Sequence, residues 1–494
     1  MFKYTIERST GWVMLHNMNT LIVTLVFYQL LLLSIGWWAS RRTSDNEDFY
    51  LGGRKLGAAV AALSASASSS SAWSLLGVSG AAYAWGLPAI WLIPSTLLGF
   101  FINWYWVAPR MWQQSREHNA LTLTEFLAGP HGDPARKTIM RIGAAVILFS
   151  FTFYVAAQFQ AAGHTFASAL NMDPTMAIIL GATIVLAYVM LGGFWAASIT
   201  DSLQGLLMAL SAVVLPLIAL IAIGGPGVLL ASLNTEGLST ITLGTRQESL
   251  AAGIGFVIGL AGIGLGYPGQ PHVVNRFMAM EDRKAIPTAR LIAITWAIII
   301  YTGMVVLGWC GRILVSALGN GEQVLFALAT LLLPSVLAGI MVSAILSAIM
   351  STADSQLLVA ASSVSHDLRN GKTATHESLK QARWVVLFIG IAAITLAIFS
   401  PEAIFSRVLF AWQALAAAFG PLLIITLWKG PVRPNWRIAA MTSGFALTVI
   451  LNWTTDTPGD IAERYIPMLV ALALAWKGRI RSSTSREEVR PRSG

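Results

Sequence analysis

The sequence carries very little charge for its length. Only 11% of its 494 residues are Asp, Glu, Lys or Arg, whereas 55% are hydrophobic. A water-soluble chain has roughly 25% of these charged residues. The single cysteine, Cys310, excludes a framework of intramolecular disulfides. Nucleotide-binding, kinase and zinc motifs are lacking, as is a nucleophile–base constellation, so we expect neither an enzyme, nor ATP-driven transport, nor a bound cofactor.

What the sequence does contain is a series of apolar runs, each long enough to cross a bilayer as a helix of about 20 residues. About 13 transmembrane helices are predicted, and the run over 324–363 is long enough to hold an outer helix near 324–336 and a span near 337–360. The runs cover 20–38, 57–80, 85–108, 138–166, 175–193, 199–223, 250–275, 286–310, 324–363, 384–399, 404–428, 436–454 and 465–478. The fold class is therefore an all-α polytopic membrane protein.

The net charge of +9 reflects the orientation of the spans and not an affinity for nucleic acid. If the N-terminus lies outside, 26 of the 32 basic residues fall in the inner loops and the tail. Cytoplasmic loops are enriched in Lys and Arg, so this asymmetry predicts an N-terminus outside and a C-terminus inside. The count places Arg276 in the inner loop with Arg283, Lys284 and Arg290.

Two of the predicted spans are poor helices. One contains a serine run within 64–74, and the other contains repeated glycine and proline within 262–271. Serine competes for backbone hydrogen bonds, and glycine and proline cost about 1 and about 3 kcal/mol in a helix interior. These are the second and seventh spans, as expected for two inverted five-helix repeats with a central binding site. Close packing of small residues is the alternative explanation.

Polar residues also interrupt the apolar pattern elsewhere. Ala348, Ser351 and Thr352 lie on one helix face, where their oxygens suit an alkali cation, although hydrogen bonding within their own helix explains the spacing better. Asp201 and Asp354 lie in apolar segments, where a carboxylate is expected to need a cavity, an ion or a partner. Asp201 is close enough to a span end to be solvated or to cap its helix.

Six stretches resemble the sodium:solute symporter family, and within it the bacterial sodium/proline symporters. They are FYLGGRKLG (49–57), ALSASASSSSAW (62–73), LTLTEFL (121–127), GGFWAASITDSLQG (192–205), GLGYPGQPHVVNRFMA (264–279) and SAILSAIMSTADSQLL (343–358). The resemblance covers about residues 20 to 480 and implies a LeuT-type fold with two inverted repeats. It places an extracytoplasmic segment at 1–19, the first helix and loop at 20–56, the repeats at 57–223 and 250–428, two C-terminal helices at 429–478 and a cytoplasmic tail at 479–494.

The resemblance also implies site residues. The sodium ligands would be the carbonyls of Ala67, Ser70 and Ala348 and the hydroxyls of Ser351 and Thr352. Arg54, Asp201 and Asp354 would serve the ion pathway. The substrate positions would be Ser71, Trp73, Tyr154, Tyr267, Gln270 and Pro271.

The expected function is a monomeric symporter of the bacterial inner membrane, which couples Na⁺ influx to uptake of a small solute such as proline. Two positions differ from the proline symporters: Ser69 replaces an aspartate important for sodium, and Ile263 replaces a tryptophan of the substrate pocket. A proton-coupled or sodium-independent carrier for another small solute therefore stays open, as does a transporter-like receptor.

Overall fold

The computed structural model describes residues 11–40, 51–170, 172–190, 194–235, 250–315, 318–369, 376–400, 402–454 and 457–480. Most of the predicted segment over 1–19 lies outside these ranges, as does the tail after residue 480. Residues 49–50 and 192–193 of the motifs also lie outside them.

Helices form over each of the apolar runs. In chain order they are α1 (Gly11–Ser40), α2 (Ala58–Ala72), α3 (Val78–Trp85), α4 (Leu92–Phe101), α5 (Ala108–Glu117), α6 (Leu123–Ala128), α7 (Arg136–Leu170), α8 (Pro174–Val189), α9 (Phe194–Ile223), α10 (Pro226–Thr235), α11 (Leu250–Leu265), α12 (Pro271–Ala279), α13 (Ile286–Leu314), α14 (Val324–Leu332), α15 (Ser335–Ser362), α16 (His376–Phe399), α17 (Ile404–Lys429), α18 (Pro434–Thr454) and α19 (Ile461–Gly478). In the described part of the chain, extended pairing is limited to the isolated bridges Leu56–Met280 and Val432–Arg479.

Seven helical segments among the described residues are long and apolar enough to cross a membrane. Shorter apolar helices, such as α8, cover other predicted runs. The number of about 13 spans therefore stays a prediction. The expected division of 324–363 is confirmed, because α14 ends at Leu332 and α15 begins at Ser335 after Pro334.

Helix α15 lies at the centre of the bundle. It packs against α1, α2, α7 and α9, and nearly all of its residues from Ala338 onwards are buried. Its serines, threonine and aspartate therefore face other helices and not lipid. Because a polar group away from water needs a partner, the neighbours of α15 are where polar chemistry is concentrated.

Two helix crossings depend on glycine. A Cβ atom on Gly264 of α11 would lie 2.0 Å from the carbonyl oxygen of Ser95, and one on Gly303 of α13 would lie 2.0 Å from that of Ala212. Both distances are far below van der Waals contact. Small residues at such crossings allow backbones to approach closely in membrane proteins.

The short helix α6 is tied to the far end of α15 by a buried ionic cluster. The Glu125 carboxylate accepts hydrogen bonds from Arg136 at 2.7 Å, from His366 at 3.0 Å and from the backbone N–H of Leu121 at 2.9 Å. Burial alone would raise the pKa of Glu125, but the His366, Leu121 and Arg136 interactions lower it from 4.5 to about 2. Thr122 adds a hydrogen bond to Asp367 at 2.8 Å.

Candidate functional site

The first interrupted segment breaks at the end of its serine run. The backbone stays helical through Ser70, but Ser71 has φ 58° and ψ −173°, and a π-helical turn follows over Trp73–Gly77. Positive φ is uncommon for a residue other than glycine, so this conformation is held by its surroundings. The predicted interruption within 64–74 is confirmed, and its position is narrowed to one residue.

The backbone groups around this break find side-chain partners. The N–H of Ala72 donates to Oε1 of Gln158 at 3.1 Å, and the N–H of Trp73 donates to Oγ of Ser71 at 3.1 Å. Gln158 comes from α7, as does Tyr154, whose hydroxyl donates to Ser71 at 3.4 Å. A broken helix is tolerated at membrane depth when the freed groups are satisfied in this way.

The second interruption is a complete gap between two helices. Helix α11 ends at Leu265, a 3₁₀ turn covers Tyr267–Gly269, and α12 begins at Pro271. This confirms the break predicted within 262–271.

Carbonyl groups at the gap accept hydrogen bonds from α17, from the π-helical turn over Ile102–Val107 and from Gln270 within the gap. The Ile263 carbonyl accepts from Nε1 of Trp412 in α17 at 3.1 Å, and the Tyr267 carbonyl accepts from Asn103 at 3.2 Å. The Gly266 carbonyl accepts from the Gln270 amide at 3.2 Å.

Beside the first break, hydroxyl and carbonyl groups of α2 and α15 contact each other. The Thr352 hydroxyl donates to the Ser68 carbonyl at 3.1 Å, and the Ser351 hydroxyl donates to the Ala348 carbonyl at 3.3 Å. Ala67 and Ala348 are fully buried on the same two helices. Hydroxyl and carbonyl oxygens are the ligand types preferred by hard cations, so the donor set here fits Na⁺.

A buried ionic cluster lies next to this meeting point. The Arg276 guanidinium donates to the Asp201 carboxylate at 2.9 Å and to Oγ of Ser64 at 3.1 Å, and it also bonds the Ser355 hydroxyl. Asp354 accepts from Ser355 at 3.2 Å. Oδ1 of Asp201 and Oδ2 of Asp354 have no hydrogen-bond partner among the described residues.

Two sequence-based interpretations are wrong at this cluster. Arg276 is only 1% exposed and belongs to α12, so it is not the inner-loop residue that the charge count assumed. Asp201 is fully buried beyond the first turn of α9, which begins at Phe194, so it neither faces solvent nor caps the helix. A buried carboxylate needs a counter-charge, and Arg276 supplies it.

A small aromatic cavity lies between the two breaks. Its volume is about 10 Å³, too small for an organic solute. The lining residues are Ser69, Trp73, Tyr154, Ile263, Tyr267, Val408, Leu409 and Trp412. Ring contacts join Trp73 to Phe405 and Tyr267 to Trp412, with centroids 5.6 and 4.7 Å apart. Both positions at which the sequence departs from the proline symporters therefore face the same cavity.

The other predicted positions contribute in different ways. Ser71 contacts the cavity wall through Tyr154. The Gln270 amide is used to bond the Trp412 carbonyl at 2.9 Å, and Pro271 is the first residue of α12. Ser70 shares a hydrogen bond with Tyr301 at 3.3 Å. Arg54 donates to the Ala120 carbonyl at 2.9 Å in the loop before α6.

Three contributors were missed by sequence reasoning. Trp412 and Gln158 sit inside apolar runs where a single polar or aromatic residue has no periodic signal. Arg276 follows the second break closely enough to be assigned to a loop. Arg276 stands four residues after His272, one helical turn further along the same chain segment. This spacing could have assigned Arg276 to the helix that continues the broken span.

The chain is similar in sequence to known transporters. The sequence profile of the sodium:solute symporter family matches residues 49–441. The sodium/proline symporter of Escherichia coli (strain K12) is 37% identical over 447 residues, 87% of each chain. The high-affinity proline transporter PutP of Bacillus subtilis (strain 168) is 35% identical, over 90% of this chain and 94% of its own.

Two solved structures share the fold. One is the substrate-bound, outward-open state of a Na⁺-coupled sialic acid symporter, with a TM-score of 0.76, 17% identity and coverage of 92% of this chain and 96% of the other. The second is MhsT in complex with L-phenylalanine, with a TM-score of 0.54, 16% identity and coverage of 86% and 98%.

Proposed function

The chain belongs to the sodium:solute symporter family, and we propose that it couples the inward flux of Na⁺ to the uptake of proline. The relatives named for proline transport align with nearly nine-tenths of this chain at 35–37% identity. The proposed setting is the bacterial inner membrane, with the N-terminus outside, the C-terminus in the cytoplasm and a monomer as the working unit. The inverted repeats over 57–223 and 250–428 and the two flanking C-terminal helices belong to the same proposal.

The contact between α2 and α15 is the main observation that supports this proposal. The hydrogen bond from Thr352 to the Ser68 carbonyl brings the oxygens of a broken helix against those of a polar one. We assign the Na⁺ site to this place. Its ligands are the carbonyls of Ala67, Ser70 and Ala348 and the hydroxyls of Ser351 and Thr352. A cation held here would pull the two helices together because it binds oxygens from both.

The aromatic cavity is the proposed solute site. Trp73 comes from the π-helical turn after the first break, and Tyr267 comes from the turn in the second, so the pocket is built from both interruptions. Broken helices at matching places in two repeats are the usual location of a transporter substrate. The small volume supports a closed conformation, from which the solute site opens when the two repeats move relative to each other. We assign Ser71, Tyr154, Gln270 and Pro271 to the walls of this site.

Coupling follows from the shared wall of the two sites. Helix α2 contributes Ala67 and Ser70 to the ion site and leads through Ser71 to Trp73 in the pocket. Sodium binding can shift the equilibrium toward the solute-binding state only by its difference in affinity for the two states. Asp201 and Asp354 lie beside the ion site and provide the next acceptors toward the cytoplasm, and we place Arg54 at the end of that pathway.

Sodium-dependent thermal stabilisation tests the ligand assignment. The purified protein is heated with and without NaCl, choline chloride serving as the salt control, across a panel of amino acids. Stabilisation by proline that requires Na⁺ is expected. The double variant S351A/T352A should lose both the Na⁺ effect and Na⁺-stimulated uptake in proteoliposomes.

The matched control is S343A/S362A. Like Ser351, these two serines bond carbonyls of their own helix, Gly339 at 2.9 Å and Val359 at 2.7 Å, but they lie about two helical turns or more from Ser351 and Thr352. Their removal should leave the Na⁺ effect in place. Unchanged sodium dependence in S351A/T352A would contradict the assignment of the ion site.

Proton coupling is the second candidate, favoured by one observation. Ser69 offers no carboxylate, whereas Asp201 and Asp354 each keep one oxygen without a partner among the described residues. A proton carrier would accumulate solute along a pH gradient and would be indifferent to Na⁺. Measuring uptake with each gradient imposed alone separates the two mechanisms.

A further inference from the structure

Arg276 links four segments of the bundle through one side chain. It projects from α12 and donates to Ser64 of α2 and to Asp201 of α9, and it also bonds Ser355 of α15. A fourth hydrogen bond runs to the His272 carbonyl at 2.6 Å. The guanidinium lies 5.0 Å from the centre of the Phe194 ring, which closes the side without a polar partner. An arginine in a mobile loop would have none of this fixed geometry.

The cluster lies one helical turn from the proposed ion site on both helices that form it. On α2, Ser64 precedes by four residues the Ser68 whose carbonyl accepts from Thr352. On α15, Ser355 follows Ser351 by four residues. A turn of α-helix rises about 5.4 Å. Because α2 and α15 run in opposite directions, both steps lead toward the same end of the bundle, the cytoplasmic end in the proposed orientation.

The charges make Arg276 a competitor for any cation that takes this route. Asp201 uses one oxygen for the guanidinium, and its other oxygen has no partner among the described residues, as is true of one oxygen of Asp354. A sodium ion at these oxygens would be repelled by the fixed guanidinium. Conversely, an ion close to Asp201 weakens the hold of Asp201 on Arg276. Coupling of this kind is reciprocal and typically changes affinity by about 5- to 150-fold.

We propose that Arg276 is a tethered cation that competes with Na⁺ for Asp201, thereby lowering the Na⁺ affinity and speeding Na⁺ release to the cytoplasm. The inference rests on the proposed sodium-coupled function and adds a positioning residue to it. When Na⁺ is absent, the guanidinium keeps α2, α9, α12 and α15 together at the cytoplasmic end. When Na⁺ arrives at Asp201, this tie weakens and the end can open.

The variant R276Q tests this competition. The first readout is the NaCl concentration that gives half of the maximal thermal stabilisation, measured without solute so that transport is not involved. We expect this concentration to fall about ten-fold in R276Q, while the rate of Na⁺-driven uptake falls because the ion leaves slowly. The variant R276K keeps a tethered cation, and its half-maximal concentration should stay within about three-fold of wild type.

Two further variants separate competition from loss of structure. Asp201→Asn combined with R276Q removes both charges, so the half-maximal concentration should not fall below that of wild type. Arg464→Gln removes another buried arginine, which lies on α19 and pairs with Asp460 at 2.6 Å. It should lower the unfolding temperature without changing the half-maximal Na⁺ concentration.

A milder variant covers the case in which R276Q does not fold. Ser64→Ala removes the hydroxyl that accepts from the guanidinium and donates to Asp201 at 2.8 Å, so the guanidinium and Asp201 are held together less firmly while every charge remains. It should lower the half-maximal Na⁺ concentration about three-fold. An unchanged or raised value in S64A, or in folded R276Q, would overturn the inference. Lack of any Na⁺ stabilisation in wild type would instead contradict the proposed function, so the two failures are distinguishable.

Discussion

Replacing Glu125 with glutamine should destabilise the protein in a pH-dependent manner. Glu125 accepts from Arg136, His366 and the Leu121 backbone while only 7% exposed. Its pKa falls from 4.5 to about 2 in the folded protein. Each pKa unit corresponds to about 1.4 kcal/mol, so the ionised carboxylate contributes about 3 kcal/mol to stability at neutral pH.

The sign of the pH dependence follows from the direction of the pKa shift. A depressed folded pKa gives stability that is fully present above pH 4.5 and is lost as the pH falls toward about 2. Wild type and E125Q should therefore differ most at neutral pH and converge as the pH falls below 4.5. The affected contact joins α6 to the end of α15, so its loss frees the end of the helix that carries Ser351 and Thr352.

The assay is the apparent unfolding temperature of detergent-purified protein between pH 7.5 and about pH 2.5, a range that covers the loss of the Glu125 contribution below pH 4.5. E125Q should unfold several degrees below wild type at pH 7.5. The control is E117Q, because Glu117 lies on α5 nearby but is exposed and bonds only Gln113 among the described residues. A gap between wild type and E125Q that stays constant over this pH range, or that matches E117Q, would refute the assignment of the stability to the ionised carboxylate.

Two further predictions follow from the packing. Gly264→Ala should reduce the yield of folded protein severely, because its Cβ would lie 2.0 Å from the Ser95 carbonyl oxygen. Gly227→Ala is the control and should fold, because the space around this position is open. Equal yields of the two variants in fluorescence-detected gel filtration would contradict the close crossing. Trp412→Leu removes the donor to the Ile263 carbonyl and one wall of the cavity. The proline concentration that gives half-maximal thermal stabilisation should therefore rise at least about ten-fold, while the half-maximal Na⁺ concentration measured without solute should not change. A rise in both concentrations would contradict separate solute and ion sites.

The sequence was sufficient to find the two interruptions because their residues carry the physical cause locally. Glycine and proline interrupt the helix over 266–270, and a run of serines offers alternative partners to the backbone. The position of the first break at Ser71 could not be predicted, because it depends on Gln158 and Tyr154 from α7. Which serine leaves the helix is decided by the neighbouring helix.

The sequence did not predict which residues on different helices would bond each other. Arg276 looks like any basic residue after a span until the structure places it against Asp201. Trp412 looks like a packing aromatic until its indole N–H is found on a carbonyl of the second break. Ser69 and Ile263, by contrast, were recognised as departures from the proline symporters, and the structure adds that both face one cavity.

Solute accumulation driven by a sodium gradient is the most direct test of sodium-coupled uptake. Purified protein in proteoliposomes receives an inward Na⁺ gradient, with equal pH on both sides and the membrane potential clamped. Radiolabelled proline should accumulate several-fold above its equilibrium level and should leave when a sodium ionophore is added. Proline uptake that ignores the Na⁺ gradient and follows an imposed pH gradient would contradict the account.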